Sequence, residues 1–352
     1  MLTKFARYFN LTNLSRISVR TLPCSSSNLN SKADYTTNVQ KNVLITGGLG
    51  QLGLDFANFL RGRYGRDNIL LTDIKQPTEE ALKSGRFEHL DVLDARRFEA
   101  LVVENRIDLV IHFSAILSAL GESNVQKAID INIHSVHSVL EICRKHKVQL
   151  YCPSSIAAFG STAPRNPTPD FTVQRPRTIY GVSKVHMELM GEYYAEKYGL
   201  DFRSLRYPGI ISSDSMPGGG TTDYAVHIFY EIAARNKYSC FLREDSTLPM
   251  MFLPDCVRGT VKFLETPREK LKQYTYNLTA VSFNPKQLVD AMRPHFPQME
   301  VTYEPDPVKQ TIADTWPQVF DDSNARRDWG WNHKFGLEDM VQVMVDKVKS
   351  MK

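Results

Sequence analysis

From Asn42 onward the chain alternates short apolar runs with longer helical patterns, and this alternation restricts the fold more than any other feature. The apolar runs are NVLITG (42–47), NILLTDI (68–74), FEHLDV (87–92), DLVIHFSA (108–115), QLYCPSS (149–155) and DFRSLRYPG (201–209). The helical patterns lie near residues 51–63, 95–105, 123–147 and 178–198. Such apolar runs are typical of strands buried on both faces, and helices between them imply right-handed crossovers. The sequence therefore predicts an α/β fold built on a doubly wound parallel sheet.

The first predicted strand runs directly into GGLGQLG, which places Gly47, Gly50 and Gly53 at the start of the first helix. Glycines allow a tight turn and a close approach of the backbone, and a helix N-terminus presents free N–H groups to a pyrophosphate. This combination of strand, glycine loop and helix predicts a Rossmann-type dinucleotide site.

Asp73 ends the second predicted strand, twenty residues beyond Gly53. A carboxylate at this point suits the two ribose hydroxyls of NAD and repels the 2′-phosphate of NADP, so the sequence favours NAD as cofactor. Two alternatives stay open: Asp73 is only a solvated strand end, or Lys75 offsets the repulsion of NADP.

Further candidate cofactor contacts lie at the carboxyl ends of the predicted strands, where ligands bind in doubly wound folds. They are Leu49, Gln51 and Leu52 in the glycine loop, Asp91 and Val92 after the third strand, Ser114 and Ala115 after the fourth, and Tyr207 and Ile210 after the sixth. His112 lies inside an apolar run, and this position favours a core residue over a catalyst.

The strand and helix rhythm changes after residue 210. The Gly/Pro-rich segment SMPGGGTTDYA (215–225) leads into short strand-like pieces mixed with helices. We therefore expect residues 40–210 to form the NAD-binding Rossmann domain. Residues 211–352 are expected to form mainly a smaller substrate-binding lobe, with some segments returning to the Rossmann core.

The first 35 residues are predicted to be a mitochondrial presequence. Residues 1–33 hold five basic residues and no acidic one, are rich in Ser and Thr, and lack the apolar segment of a secretory signal. The alternative is a disordered tail. These five residues exceed the formal charge of +4 by one, so the rest of the chain carries −1 and offers no support for nucleic-acid binding.

Metal and membrane binding also lack support in the sequence. Five cysteines are scattered without a C-x-x-C pair, and nine histidines do not cluster with other ligands at metal-binding spacing. A dispersed, odd number of cysteines fits a reducing compartment. No apolar run approaches the length of a membrane span.

The stretch YGVSK places Tyr180 and Lys184 four residues apart in a predicted helix. Side chains at this spacing share one helical face, so the ammonium can lie beside the phenol and favour the phenolate. Such pairs also occur by chance on helix surfaces. The glycine loop and Asp73 are what favour a catalytic pair here.

The assembled motifs resemble the extended short-chain dehydrogenase/reductase superfamily over residues 42–340. They are GxxGxxG at 47–53, Asp73, Asp91-Val92, Ser154-Ser155, the Tyr180 and Lys184 pair, and Tyr207-Pro-Gly. The resemblance implies that Tyr180 is the general base and that Lys184 favours its ionised form and holds the nicotinamide ribose. It also implies that Ser155 donates a hydrogen bond to the substrate oxygen.

The same resemblance implies two further features. Asn132, on the fourth predicted helix, would lie near the active site. The protein would form a homodimer packed through the helices at 123–147 and 178–198.

Finer features resemble the short-chain family of L-threonine 3-dehydrogenases. They are SALGE (118–122), PSSIAAFG (153–160), PGGGTTDYA (217–225) and DTWPQVFDDSNARRDWGW (314–331). This resemblance implies NAD-dependent oxidation of L-threonine at the 3-hydroxyl to 2-amino-3-oxobutanoate, the first step of threonine degradation to glycine, in the mitochondrial matrix. It further implies functional coupling to a ligase that uses coenzyme A.

By the same resemblance, the amino acid substrate would be held around Tyr180 and Ser155 by Ser118, Gly121, Ser154 and Thr221. Each of these four can also be ordinary loop polarity. Two other functions stay open for the whole chain. One is a nucleotide-sugar epimerase or dehydratase, which would bind a diphosphate through cationic side chains. The other is a non-catalytic NAD-sensing scaffold on the same fold.

Overall fold

The computed structural model describes residues 40–213 and 218–351, so the predicted presequence lies outside the described residues. The strands are β1 Val43–Thr46, β2 Ile69–Asp73, β3 Arg86–His89, β4 Leu109–His112, β5 Gln149–Tyr151, β6 Ser154–Ser155, β7 Phe202–Tyr207, β8 Gly209–Ile211, β9 Lys237–Cys240, β10 Leu248–Phe252, β11 Thr275–Asn277, β12 Val281–Phe283 and β13 Glu300–Tyr303. The helices are α1 Gln51–Tyr64, α2 Glu79–Ser84, α3 Ala95–Glu104, α4 Ser118–Ser123, α5 Val125–Ile129, α6 Ser135–His146, α7 Ile179–Tyr198, α8 Tyr224–Arg235, α9 Leu253–Glu265, α10 Pro285–Met292, α11 Pro307–Thr315, α12 Ser323–Trp329 and α13 Leu337–Ser350.

The main sheet is parallel and doubly wound, as the sequence predicts. Its strand order is β3-β2-β1-β4-β5-β7-β11, and every pair along this path is parallel. The chain moves outward from β1 to β3 on one side and then from β4 to β11 on the other. The order therefore reverses between β1 and β4, which creates the crevice where ligands bind in folds of this kind.

Both faces of this sheet are buried, which explains why its strands read as continuous apolar runs. In β1, Val43 and Ile45 pack into the same core as Phe56 of α1. Leu44 points the other way and packs into a core with Leu140 of α6. Alternate residues of one strand thus stabilise helices on opposite sides of the sheet.

The C-terminal part of the chain adds two small sheets and a third core. β10 pairs with β8 and β12, and β9 pairs with β13. The third core joins residues of α8, α10 and α13 to these strands. Residues 40–352 form one compact unit, so the boundary near residue 210 stays a prediction.

The structure departs from the predicted elements at two places that matter for the site. The helix expected at 123–147 is divided into α5, a π-helical turn at Asp130–His134 and α6. The run expected at 149–155 is divided into β5 and β6, because Pro153 has no N–H with which to continue the ladder.

Helix α7 lies close to β7 because Gly191 has no side chain. A Cβ at this position would overlap with the ring of Phe202, which is fully buried. This close approach sets the distance between α7 and the sheet and therefore positions every side chain that α7 presents.

Replacing Gly191 with Ala is expected to lower the free energy of unfolding by about 1–3 kcal/mol, because a buried ring must move to admit the methyl group. Denaturant unfolding measures the effect. Gly62→Ala in α1 is the matched control, since a Cβ there meets nothing within 4 Å. Equal stability of Gly191→Ala and the unmodified chain would contradict this account of the packing.

Candidate active site

A cavity of about 300 Å³ opens at the carboxyl ends of the central strands. Its wall combines the glycine loop, the segments that follow β4, β5 and β7, and the first turns of α7. The predicted residues that line it are Gly47, Gly50, Gln51, Leu52, Gly53, Ala115, Ser118, Ser154, Ser155, Tyr180, Lys184, Tyr207, Ile210 and Thr221. The structure thus brings most of the predicted cofactor, catalytic and substrate residues together.

The glycine loop needs glycine for reasons visible in its contacts. Gly47 has φ +63°, and a Cβ there would lie 2.9 Å from the backbone nitrogen of Ser114. A Cβ at Gly53 would lie 2.5 Å from the carbonyl oxygen of Gly48. The side-chain nitrogen of Gln51 is buried and has no hydrogen-bond partner among the described residues. A donor of this kind at the start of α1 fits the phosphates of a dinucleotide.

Asp73 lies against the glycine loop although it is not among the residues that line the cavity. Its carboxylate accepts hydrogen bonds from the backbone N–H groups of Leu49 and Lys75, both at 3.0 Å. The carboxylate is therefore held at the end of β2, beside the loop expected to bind the phosphates. This placement fits an adenosine ribose, whose hydroxyls would bind the free acceptor sites of the carboxylate.

The predicted catalytic residues meet at the N-terminal end of α7. The Thr178 hydroxyl caps this helix by accepting a hydrogen bond from the N–H of Gly181 at 3.1 Å. The ammonium of Lys184 donates to the carbonyl oxygen of Pro153 at 2.7 Å and lies 5.4 Å from the ring centroid of Tyr180. The hydroxyl oxygen of Ser155 accepts from the N–H of Ala157 at 3.2 Å, so its own hydrogen is available to a ligand in the cavity.

Several other predicted residues do not line this cavity. The Asp91 carboxylate accepts a hydrogen bond from the N–H of Leu93 in its own loop, and Val92 is buried. Ser114 follows β4 and lines a small neighbouring cavity. Gly121 packs α4 on α7, since a Cβ there would lie 3.1 Å from Ile179. The roles predicted for these residues stay predictions.

Ser154 and Tyr207 line the cavity, but their hydroxyls form hydrogen bonds with buried residues behind its wall. The Ser154 hydroxyl donates to the buried carboxylate of Glu188. The Tyr207 hydroxyl forms hydrogen bonds with Tyr151 and Thr260, both at 2.6 Å, inside the core. Direct polar contact with a ligand through the Tyr207 hydroxyl would require these bonds to break.

Asn132 and His112 are buried and line the same small neighbouring cavity as Ser114. The Asn132 side chain accepts from the N–H of Ile116 at 2.8 Å and donates to its carbonyl oxygen at 2.9 Å. His112 forms hydrogen bonds with Thr46 and Ser135 at 2.9 and 3.3 Å. Burial, assisted by the charge of Lys184, lowers the pKa of His112 to about 3, so the ring is neutral at physiological pH.

Among the residues of the cavity wall that sequence reasoning missed, Asp223 and Trp316 have the side chains best able to contact a ligand. Asp223 accepts hydrogen bonds from the N–H groups of Gly219 and Gly220, and burial raises the pKa of its carboxyl group. Both residues occur in stretches that resemble the threonine dehydrogenase family, so the motifs contained the signal. What the motifs lacked was any indication that these two stretches meet.

The part of the chain that the structure describes has neither a metal-binding cluster nor a membrane-spanning helix. There, no three or more His, Cys, Asp or Glu side chains are grouped as a metal ion would need. Within the same residues, no helix combines the length and the apolar character required to cross a bilayer.

The site combines a glycine loop at the switch point, Asp73 beside that loop, and Tyr180, Lys184 and Ser155 in one cavity. This combination defines an enzyme of the extended short-chain dehydrogenase/reductase class. Comparison with known proteins refines this class. Residues 43–279 match the NAD dependent epimerase/dehydratase family. The mitochondrial L-threonine 3-dehydrogenase of Bos taurus is 55% identical over 307 residues, which cover 87% of this chain and 82% of the bovine protein.

Solved structures agree with the sequence comparison. L-threonine dehydrogenase from Phytophthora infestans has a TM-score of 0.85 at 44% identity and covers 88% of this chain and 100% of its own. The L-threonine 3-dehydrogenase of Trypanosoma brucei has a TM-score of 0.85 at 40% identity, covering 88% and 98%. The chain belongs to the NAD dependent epimerase/dehydratase family and, within it, to the family of the short-chain L-threonine 3-dehydrogenases. The family and the enzyme class predicted from the sequence are confirmed.

Replacing Asp73 with Asn is expected to raise the KM for NAD about tenfold or more, because it removes a charged acceptor whose hydrogen bonds are each worth about 1.5–3 kcal/mol. The preference for NAD over NADP should fall with it, since the charge that repels the 2′-phosphate is lost. The ratio of kcat/KM for the two cofactors measures this. The exposed Asp67→Asn is the control, and an unchanged ratio in Asp73→Asn would contradict the assignment.

Proposed function

We propose that this protein oxidises L-threonine at the 3-hydroxyl with NAD, giving 2-amino-3-oxobutanoate and NADH as the first step of threonine degradation to glycine. The observation that carries the proposal is that Tyr180, Lys184 and Ser155 share one cavity with the glycine loop. The names of the bovine and trypanosomal relatives support threonine as the substrate.

In the proposed reaction Tyr180 takes the proton of the 3-hydroxyl. Lys184, held by the Pro153 carbonyl, keeps a positive charge beside the phenol and favours its ionised form. The Ser155 hydroxyl donates a hydrogen bond to the substrate oxygen as the carbonyl forms. NAD, when bound, supplies the acceptor for the hydride that leaves the same carbon.

The cavity also offers groups that suit the ends of a small zwitterion. We assign the ammonium of the substrate to the Asp223 carboxylate, which lies in the cavity wall beside Thr221. The hydroxyls of Ser118 and Thr221 would bind the substrate carboxylate. Gly121 would act through the packing of α4, and Ser154 through its bond to Glu188.

The alternative functions receive less support from this cavity. A nucleotide-sugar epimerase or dehydratase must bind a diphosphate, yet Lys184 is the only Lys or Arg among the described lining residues, and the same wall contains the carboxyl group of Asp223. A non-catalytic NAD-sensing scaffold would have no use for a Tyr, a Lys and a Ser placed together at the nicotinamide end.

The bovine and pig relatives, 55% and 53% identical, are both named mitochondrial. Together with the basic, acid-free first 33 residues, these names support a location in the mitochondrial matrix. The proposed product is an unstable β-keto acid, so we also propose functional coupling to a ligase that consumes it with coenzyme A.

NADH formation by the purified chain is expected with NAD and L-threonine, tested beside L-serine, L-allo-threonine and a panel of UDP-sugars. Tyr180→Phe should lower kcat about 10²–10⁴-fold, because general-base catalysis contributes that much. Tyr198→Phe, at the exposed end of the same helix, is the control and should retain kcat. Turnover of a UDP-sugar in place of threonine would overturn the substrate assignment.

The homodimer is proposed from an exposed apolar face of α7. Val182, Leu189 and Tyr193 lie on one side of this helix and are 45%, 59% and 50% exposed. A second copy of the chain would bury such a stripe.

Light scattering is expected to give the mass of a dimer for the unmodified chain. Leu189→Glu should give a monomer, because a charge would be buried without a partner. Leu82→Glu, at a similarly exposed position on α2, is the control and should remain dimeric. A monomeric unmodified chain would refute the proposal.

A further inference from the structure

Helix α7 presents three functional groups on one face. Tyr180, Lys184 and Glu188 follow one another at intervals of four residues, so their side chains lie in one row along the helix. Tyr180 and Lys184 line the cavity, whereas Glu188 is only 1% exposed and lies in the interior next to the end of β6. A buried carboxylate in this row is unusual, because it is costly unless it is fully paired.

The segment that carries Ser155 is attached to this face of α7 at two points. Lys184 donates to the carbonyl oxygen of Pro153 at 2.7 Å, and the Ser154 hydroxyl donates to the Glu188 carboxylate. Successive side chains of a strand point to opposite faces, so a bond that holds Ser154 towards Glu188 turns Ser155 the other way, towards the cavity. Ser155 thus follows directly after both attachment points.

Glu188 is itself held rigidly. The Arg206 guanidinium donates to both of its oxygens, at 2.9 and 2.7 Å, and Gln174 donates at 3.0 Å. Arg206 lies opposite Ser154 in the parallel ladder between β6 and β7. It also donates to the carbonyl oxygen of Asp170 at 2.7 Å. The carboxylate that accepts the Ser154 hydroxyl is therefore paired with the guanidinium of Arg206 and fixed to the sheet.

From this geometry we propose that Glu188, paired with Arg206, is a positioning residue that holds the 153–155 segment in register with Tyr180 and Lys184. The proposal rests on the proposed function and adds to it one residue, Glu188, that does not itself touch the reacting atoms. When the bond to Ser154 is absent, the Ser155 hydroxyl and the Pro153 carbonyl that anchors Lys184 lose a common restraint. Ser155 acts on the substrate oxygen, and Pro153 holds the ammonium of Lys184 beside the Tyr180 phenol. Small displacements of either group therefore reduce the rate.

Ser154→Ala is the main test, because it removes the contact while leaving the Glu188 and Arg206 pair intact. In the full chain we expect kcat for threonine to fall about tenfold to a hundredfold. The KM values for NAD and threonine should stay within about twofold, as expected for a group that touches neither ligand.

Ser204→Ala is the matched control. This serine lies on β7, is fully buried, and its hydroxyl has no hydrogen-bond partner among the described residues. It should leave kcat and both KM values unchanged. A raised KM for threonine in Ser154→Ala with an unchanged kcat would show direct substrate contact by Ser154 and overturn the proposal.

Hydrogen exchange separates this inference from the choice of substrate. With NAD present and threonine absent, the amides of residues 154–158 should exchange several-fold faster in Ser154→Ala than in the unmodified chain or in Ser204→Ala. Faster exchange together with no oxidation of threonine by the unmodified chain would refute the proposed function and support the positioning role. Unchanged exchange in Ser154→Ala would refute the positioning role, whatever the substrate.

Glu188→Gln provides a second variant, although it leaves Arg206 without its counter-charge and can lower stability. If it folds, the double variant Ser154→Ala/Glu188→Gln should be no slower than the slower single variant, because both changes act on one contact. Multiplied losses of rate would show that the two residues act independently and would refute the inference.

Discussion

The parallel arrangement of the main sheet is the constraint on which the rest of the structure depends. Because every crossover returns through a helix, the carboxyl ends of β1, β4, β5 and β7 lie at one edge. The reversal of strand order between β1 and β4 opens a crevice at that edge. The glycine loop, Ser155 and the segment after β7 converge there, although the glycine loop precedes both of the others by more than a hundred residues in sequence.

Helix α7 forms part of the cavity wall and supplies the proposed catalytic pair. Its closeness to the sheet depends on Gly191, which lets Phe202 of β7 pack directly against the helix. Its N-terminal turns then bring Tyr180 and Lys184 into the cavity, and its middle brings Glu188 onto Arg206. One helix therefore joins the reacting groups to the buried ion pair behind them.

The acidic and basic side chains in the cavity wall are few. Lys184 supplies an amino group at the proposed nicotinamide end, and Asp223 supplies a carboxyl group at the proposed substrate end. His112, although close to Lys184, is kept neutral by burial. This distribution suits the ionisation of a phenol beside a small zwitterion better than it suits a diphosphate.

The sequence by itself determined the parallel α/β class, the glycine loop, the strand-end position of Asp73 and the pairing of Tyr180 with Lys184. Each of these depends on short-range geometry: the period of a buried strand, the steric limits of a turn, or four residues of helix. Only the tertiary structure placed Asp223 and Trp316 in the cavity wall, put Gly121 into helix packing, and turned the hydroxyls of Ser154 and Tyr207 away to buried partners. These outcomes depend on contacts between segments far apart in the chain, and no local pattern records which distant side chain will occupy the space beside a given residue.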